Sequence, residues 1–184
     1  RGQVVSYDGP LPPLRSLNAI LPADVGVVAA EEVPDGFNAR HDATSRVYEY
    51  RIHTRRPGPS PFVGGRELWW PHRADLAALQ ACAAALVGDH DFTAFTPSGG
   101  YHTRFVRTVK ACSWSAPDHE TLVFGIEARS FMRNMNRILV GTMLEVASGR
   151  RELDDFVRLL EGRPRSEAGV TARAHGLYLM AVRY

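Results

Sequence analysis

The chain has 184 residues, of which 45% are hydrophobic, and its formal net charge at pH 7 is +2. This length and apolar content predict one globular domain or two small lobes and exclude a disordered chain. No apolar run is long enough to cross a membrane, and the first residues lack the basic-then-apolar order of a signal peptide. The sequence therefore predicts a cytoplasmic protein without a membrane span.

Arginine dominates the basic residues. Of the 22 basic side chains, Lys110 is the one lysine and the others are arginines. The planar guanidinium suits phosphate recognition and stacking on bases, but a genomic composition bias would produce the same excess. The arginine content is therefore compatible with nucleic-acid binding without demonstrating it.

The N-terminal quarter contains two short runs typical of strands. They are residues 4–5 and 25–33, and both are rich in valine, which favours β-structure. The proline-rich stretch 10–13 lies between them and predicts a turn or an extended loop.

A longer strand is predicted over residues 46–53. Tyr48, Tyr50 and Ile52 alternate with more polar residues and lie on one face, which is typical of a half-buried strand. Three prolines follow within residues 57–61. Because proline cannot continue a sheet, the stretch 55–61 is predicted to be a hinge or a long loop.

Helices and strands alternate in the rest of the chain. Apolar residues at spacings of three and four predict three helices. The first runs from Asp75 to Val87, and the last, a shorter one, runs from Leu153 to Leu160. The second follows an apolar stripe made of Met132, Met135, Leu139, Met143 and Val146. Strands are predicted over 107–115, 122–128 and 177–184. Since a short turn at Pro117 joins two of them, the fold class is α+β, with an antiparallel sheet flanked by helices.

Several common kinds of site are absent from the sequence. The seven histidines form no HExxH pattern and no cluster with cysteine, so no metal is expected. The glycine pairs at 64–65 and 99–100 lack the flanking strand and helix of a phosphate-binding loop, so no nucleotide cofactor is expected. Cys82 and Cys112 suit buried free thiols better than a disulfide.

Two features could carry chemistry. Arg133 and Arg137 are four residues apart at the start of a predicted apolar helix, and this spacing puts both on one face. They could pair with a buried carboxylate or with phosphates, or form a solvated flank. Tyr48 could be a core residue, or its ring could stack on an unpaired base. The spacing leaves each pair of alternatives open.

Several segments carry a further pattern in a fixed order. They are residues 1–5, 18–25, 37–50, 88–95, 107–109, 131–141 and 176–179. Together they resemble the motifs of the tRNA pseudouridine synthase A family across nearly the whole chain. The first segment is similar to the tail of the family signature, whose catalytic aspartate would precede Arg1. Asn136 stands where the family usually has valine, and Arg173 where it usually has proline.

The resemblance implies an isomerase with a pseudouridine-synthase, ferredoxin-like fold. It would convert uridine to pseudouridine at positions 38, 39 and 40 of the tRNA anticodon stem-loop. No cofactor is implied, and the partners would be tRNA and a second copy of the chain in a cytoplasmic homodimer. The target base must leave its stack before an enzyme can reach it.

The resemblance also assigns residues. Tyr48 matches the tyrosine that packs against the target base, and Arg137 matches the arginine that pairs with the nucleophilic aspartate. The predicted RNA contacts are Tyr48, Arg40, Arg46, Arg104, Arg107 and Arg133, each arginine having a structural ion pair as its alternative. Residues 1–184 are thus predicted to be the C-terminal part of the enzyme and inactive alone, the alternative being a non-catalytic RNA-binding domain.

Overall fold

A computed structural model describes residues 2–58, 60–100 and 102–184. The helices are α1 (Leu14–Ile20), α2 (Leu76–Leu86), α3 (Met135–Ala147) and α4 (Leu153–Arg158). The strands are β1 (Ser45–His53), β2 (Leu68–Trp69), β3 (Gly88–Asp91), β4 (Val106–Ser115), β5 (Thr121–Ala128) and β6 (Leu177–Arg183). The chain divides into two compact units, a small one over Val4–Ala43 and a large one that holds the remaining residues.

The small unit contains α1 and connecting loops. The strands predicted over 4–5 and 25–33 are wrong, since neither stretch forms a strand in the structure. Instead, the side chain of Asn18 donates to the carbonyl oxygen of Val27 at 2.8 Å and accepts from its N–H at 2.7 Å. These bonds satisfy backbone groups that a neighbouring strand would otherwise pair. The helix α1 itself was not predicted, and it buries none of its residues.

The large unit is built on a six-stranded sheet in the order β2-β1-β5-β4-β3, with β6 also paired to β1. All pairings are antiparallel except that of β1 with the short β2. The predicted hairpin around Pro117 joins β4 to β5. The α+β class with a mostly antiparallel, helix-flanked sheet is therefore confirmed.

The core lies between one face of the sheet and the helices. On β1, Tyr50 and Ile52 are fully buried, and every second residue of β5 is buried as well. The inward side of α3 covers them, and the indole N–H of Trp114 on β4 donates to the sulfur of Met143 at 3.4 Å. Burying each large apolar side chain contributes roughly 1.5–3 kcal/mol, so this interface sets the position of α3.

The helix predicted from Asp75 is confirmed in detail. Asp75 is the N-cap of α2, and its carboxylate accepts from the N–H groups of Ala77 and Ala78 at 2.8 and 3.3 Å. Leu79, Cys82, Ala83 and Leu86 are buried along one side. Both cysteines are free thiols, and burial raises the pKa of Cys82 and of Cys112 to about 12.

The start of α3 differs from its prediction. The apolar stripe begins at Met132, but the helix begins at Met135, because Asn134 has a left-handed backbone with φ of 60°. Asparagine tolerates this conformation better than most residues, and it interrupts a right-handed helix. Met132 is still buried. Arg133 therefore precedes the helix, and the prediction that it shares a helix face with Arg137 is wrong.

The stretch 55–61 lies between β1 and β2. Its residues 55–58 and 60–61 form a loop of turns and bends, and Pro59 lies outside the described residues. The indole N–H of Trp69 donates to the carbonyl oxygen of Arg55 at 3.0 Å, which ties the two sides of the loop together. That the stretch 55–61 is a hinge or a long loop stays a prediction.

Within the described residues, no helix is both long and apolar enough to cross a membrane.

A buried polar atom in α3 gives a stability prediction. Asn136 is 5% exposed, and its Oδ1 accepts no hydrogen bond from any residue that the structure describes. Since a buried polar group without a partner costs about 1–3 kcal/mol, we expect Asn136→Val to raise the free energy of unfolding by about 1 kcal/mol. Urea denaturation followed by circular dichroism measures this change.

The matched control lies two turns further along the same helix. Thr142 is fully buried, and its hydroxyl donates to the carbonyl oxygen of Ile138 at 2.8 Å and accepts from the N–H of Gly169 at 3.0 Å. Thr142→Val should lower stability by about 1–3 kcal/mol, because it leaves that N–H unpaired. Equal effects of the two substitutions would contradict this account of Asn136.

Candidate active site

Tyr48 lies near the middle of β1 on the face that α3 covers. Its side chain is half-buried, and its ring meets the ring of Phe131 edge-on, with centroids 4.9 Å apart and planes at 79°. Burial raises the pKa of the Tyr48 hydroxyl, and the positive charge of Arg46 opposes that rise. The hydroxyl is therefore neutral at physiological pH.

Tyr50 lies two residues further along the same face of β1. It is fully buried, and its hydroxyl donates to the carbonyl oxygen of Arg173 at 2.6 Å. Burial raises the pKa of Tyr50 to about 12, against the opposing charges of Arg137 and Arg173. The Arg137 guanidinium lies close to Tyr50, because the two side chains donate to the carbonyl oxygens of consecutive residues, Ala172 and Arg173. The sequence interpretation did not count Tyr50 as a site residue, although its alternation with Tyr48 indicated the shared face.

Arg137 lies in the first turn of α3 and is half-buried. Its Nε donates to the carbonyl oxygen of Ala172 at 2.6 Å, and its Nη1 donates to Oδ1 of Asn134 at 3.1 Å. The N–H of Ala172 returns a bond to the Arg137 carbonyl oxygen at 3.0 Å. In the described part of the chain, no carboxylate forms an ion pair with Arg137. The guanidinium is held on two sides and keeps further donors for another group.

The structure thus brings the two principal predicted residues to the same side of the sheet. Tyr48 contacts Phe131, which lies just before α3, and Arg137 in the first turn of α3 lies near Tyr50, the next inward residue of β1. Because successive inward residues of a strand are about 7 Å apart, the tyrosine ring and the guanidinium can face one ligand. We call Tyr48, Tyr50, Phe131 and Arg137 the Tyr48–Arg137 cluster.

Gly2 packs against the backbone of β6 beside this cluster. A Cβ atom on Gly2 would lie 2.1 Å from the carbonyl oxygen of Met180, and the residue has φ of 62°. Met180 lies at a β-bulge, between Ala181, which pairs with Val47, and Leu179, which pairs with Tyr48. The chain at Gly2 is therefore one strand away from Tyr48.

Two predicted RNA-binding arginines flank the cluster. Arg46 is the second residue of β1, and its Nη1 donates to the carbonyl oxygen of Arg129 at 2.9 Å. Arg133 is exposed, and its backbone N–H donates to Nε2 of His102 at 3.2 Å. Both lie within three residues of Tyr48 or Phe131 in sequence.

Two further predicted arginines, Arg104 and Arg107, lie at or just before the start of β4. Arg107 on β4 folds back on its own chain, its Nη1 donating to the carbonyl oxygens of Arg104 and Val106 at 2.9 and 2.8 Å, and burial lowers its pKa. Arg104 is exposed. Arg40 belongs to the small unit, where it is exposed in a turn in which its N–H donates to the side chain of Asn38 at 3.0 Å.

Two surface cavities of about 370 and 400 Å³ lie outside the cluster, one around Thr54 and His72 and the other around Arg51 and Tyr178, and neither contains a predicted site residue. No group of three or more potential metal ligands occurs among residues 2–58, 60–100 and 102–184.

Comparison with protein families first defines the class. The family described as tRNA pseudouridine synthase matches residues 82–184, which include Phe131 and Arg137.

Individual relatives then extend the match over nearly the whole chain. A tRNA pseudouridine synthase A from Roseiflexus sp. (strain RS-1) is 43% identical over 176 residues, covering 93% of this chain and 63% of that protein. The protein of the same name from Levilactobacillus brevis is 39% identical, over 99% of this chain and 71% of its own length. The one from Latilactobacillus sakei is 37% identical, over 100% of this chain and 76% of its own length. The chain belongs to the tRNA pseudouridine synthase A family.

Proposed function

We propose that the full-length protein isomerises uridine to pseudouridine at positions 38, 39 and 40 of the tRNA anticodon stem-loop. The observation that carries the proposal is the Tyr48–Arg137 cluster, in which a clamped guanidinium with donors to spare lies on the same side of the sheet as a tyrosine ring. The names of the relatives supply the reaction and the substrate class.

The reaction rearranges bonds without a co-reactant. A nucleophilic aspartate drives cleavage of the bond between ribose C1′ and N1 of the base, the base turns, and C1′ is joined to C5. The proton lost from C5 is balanced by one gained at N1, so no cofactor is needed. We propose that the aspartate precedes Arg1, and the contact of Gly2 with β6 beside Tyr48 supports delivery of that segment to the cluster.

In this mechanism Arg137 sets the charge of the nucleophile. A guanidinium next to a carboxylate stabilises its ionised form and lowers its pKa, and only the ionised form attacks. The hydrogen bonds from Arg137 to Ala172 and Asn134 hold the guanidinium in place before substrate arrives. The Arg137 side chain therefore loses its conformational entropy during folding and not during the reaction.

Tyr48 supplies a surface for the base. Its ring is supported edge-on by Phe131, and aromatic side chains stack on bases that have left a helix. Arg46 and Arg133 beside the cluster, with Arg104, Arg107 and Arg40, are the proposed phosphate contacts. A cytoplasmic homodimer acting on tRNA remains part of the proposal.

Chemical mapping of pseudouridine tests the proposal. The full-length protein is incubated with anticodon stem-loop RNA, and the product is located at nucleotide resolution. We expect product at positions 38, 39 and 40 from the full-length protein and none from residues 1–184 alone. Tight RNA binding by the full-length protein without product would instead favour the non-catalytic RNA-binding domain.

Two substitutions at Tyr48 separate its ring from its hydroxyl. Tyr48→Phe should keep turnover within about threefold of wild type, because burial keeps the hydroxyl neutral and the ring remains. Tyr48→Ala should lower kcat/KM by about tenfold or more, since stacking on a base contributes about 1–3 kcal/mol. Steady-state kinetics on stem-loop RNA measures both. A severe loss in Tyr48→Phe would show that the hydroxyl transfers a proton.

A further inference from the structure

Asn134 has a backbone conformation that is unusual for a residue with a side chain. Among the described residues it is the one non-glycine with a positive φ, at 60°. Glycine adopts this region freely, whereas a side chain makes it unfavourable. Asparagine tolerates the region better than other side-chain-bearing residues, because its short polar side chain can form local hydrogen bonds.

The side chain of Asn134 does not make the bond that its position suggests. Asn134 is the N-cap of α3, where an asparagine oxygen normally accepts from an N–H of the first turn. No such cap bond forms here. Its Oδ1 accepts from Nη1 of Arg137 at 3.1 Å, while its carbonyl oxygen accepts from the N–H of Ile138 at 3.0 Å. The side-chain acceptor is thus used for the guanidinium and not for the helix.

The contact links the turn before α3 to the first turn of the helix. Residues three apart are also neighbours on the surface of a continuous helix. Asn134 lies inside the turn that is closed by the bond from the N–H of Met135 to the carbonyl oxygen of Met132, and its amide oxygen meets the guanidinium from one side. The carbonyl oxygen of Ala172 holds Nε from another side at 2.6 Å. The two acceptors fix the plane of the Arg137 guanidinium and leave its Nη2 without a hydrogen bond to a described residue.

We propose that Asn134 is a positioning residue for Arg137, which orients the guanidinium so that Nη2 presents its donors to the nucleophilic carboxylate. This assignment rests on the proposed function. A guanidinium group forms paired hydrogen bonds with a carboxylate only in a narrow range of orientations. Rotation of the Arg137 guanidinium therefore weakens the contact. The aspartate would then lose both its orientation and part of its charge stabilisation.

Two substitutions in the full-length protein separate the hydrogen bond from the backbone. Asn134→Gly keeps the left-handed turn and removes the acceptor, whereas Asn134→Asp keeps an acceptor of the same length. We expect Asn134→Gly to lower kcat about tenfold, the effect of one charge-assisted hydrogen bond, with KM for RNA and the thermal midpoint unchanged. Asn134→Asp should have a kcat at least about threefold above that of the glycine variant.

The outcomes are distinct. A glycine variant with wild-type kcat overturns the assignment, and so does an equal loss of kcat in the glycine and aspartate variants. Absence of product from the wild-type protein counts against the proposed function instead. In that case the side-chain NMR signals of Arg137 still test the clamp, because slow rotation of the guanidinium in wild type should become fast in Asn134→Gly. Unchanged rotation in that variant would overturn the assignment.

Discussion

Replacing Arg137 with alanine in the full-length protein should lower kcat on tRNA by about a hundredfold or more and change RNA affinity by less than about threefold. The reason is that the Arg137 guanidinium is held by hydrogen bonds to Asn134 and Ala172. In the proposed mechanism it faces the nucleophile. In that mechanism the guanidinium acts on the reacting carboxylate and not on the phosphates. Single-turnover kinetics at saturating protein, with a separate binding titration, distinguish the two effects.

Arg133→Ala is the matched control. Arg133 is exposed just before α3, and its side chain has no hydrogen bond or ion pair with a described residue. As a proposed phosphate contact it should weaken RNA binding severalfold, reduce the salt dependence of binding by about one charge, and leave kcat unchanged. Equal losses of turnover and affinity in the Arg137 variant would refute its proposed role.

Gly141→Ala should destabilise the protein and slow the reaction together. In an exposed helix this substitution stabilises by about 1 kcal/mol. At Gly141, however, the new Cβ atom would lie 1.9 Å from the carbonyl oxygen of Val170 and 3.5 Å from the nitrogen of Ala172. The segment must move, because both neighbours are backbone atoms. We expect a loss of about 2 kcal/mol or more in the free energy of unfolding, as in overpacked cores.

The same movement displaces the acceptor of Arg137. The Ala172 carbonyl oxygen holds Nε, and a shift of about 1 Å at a positioning group lowers rates on the order of a hundredfold. Gly125→Ala is the control, since its Cβ atom would meet only the Ser113 hydroxyl at 3.6 Å. That variant should keep both stability and kcat. Wild-type turnover in Gly141→Ala would show that the Ala172 contact has no role in the reaction.

The elements of the large unit could be predicted from sequence because their apolar patterns match their burial. Residues 46–53 alternate, and the inward set on β1 packs into the core. Asp75 caps the start of α2, and Gly88, with φ of 113°, follows the last capping residue, Val87. In both cases local preference and tertiary packing favour the same structure.

The errors arose where a side chain replaced a backbone interaction. The valine-rich stretch 25–33 looks like a strand, but Asn18 satisfies the backbone of Val27 from nine residues away. The start of α3 was misplaced because the apolar period continues through Met132, which stays buried without being helical. Hydrophobic periodicity reports burial, and it cannot show a single left-handed residue such as Asn134.

The residues of the candidate site could also be predicted only in part from the sequence. The family resemblance selected Tyr48 and Arg137, and the structure places both on one side of the sheet. The contributions of Tyr50, Ala172 and Asn134 could not be read from the sequence, because they depend on carbonyl and amide oxygens meeting across distant segments. Of these, only the alternation of Tyr50 with Tyr48 was visible beforehand.

The acid limb of the pH–rate profile tests most directly whether Arg137 controls the charge of a carboxylate. A neighbouring guanidinium lowers the pKa of a carboxyl group by about 1–3 units. Its removal therefore raises that pKa, and activity should disappear at a higher pH as the solution is acidified. We predict that the single-turnover acid limb of Arg137→Ala lies about 1–3 pH units above that of wild type, while Arg133→Ala leaves it in place. Coincident acid limbs in wild type and Arg137→Ala would contradict the mechanism.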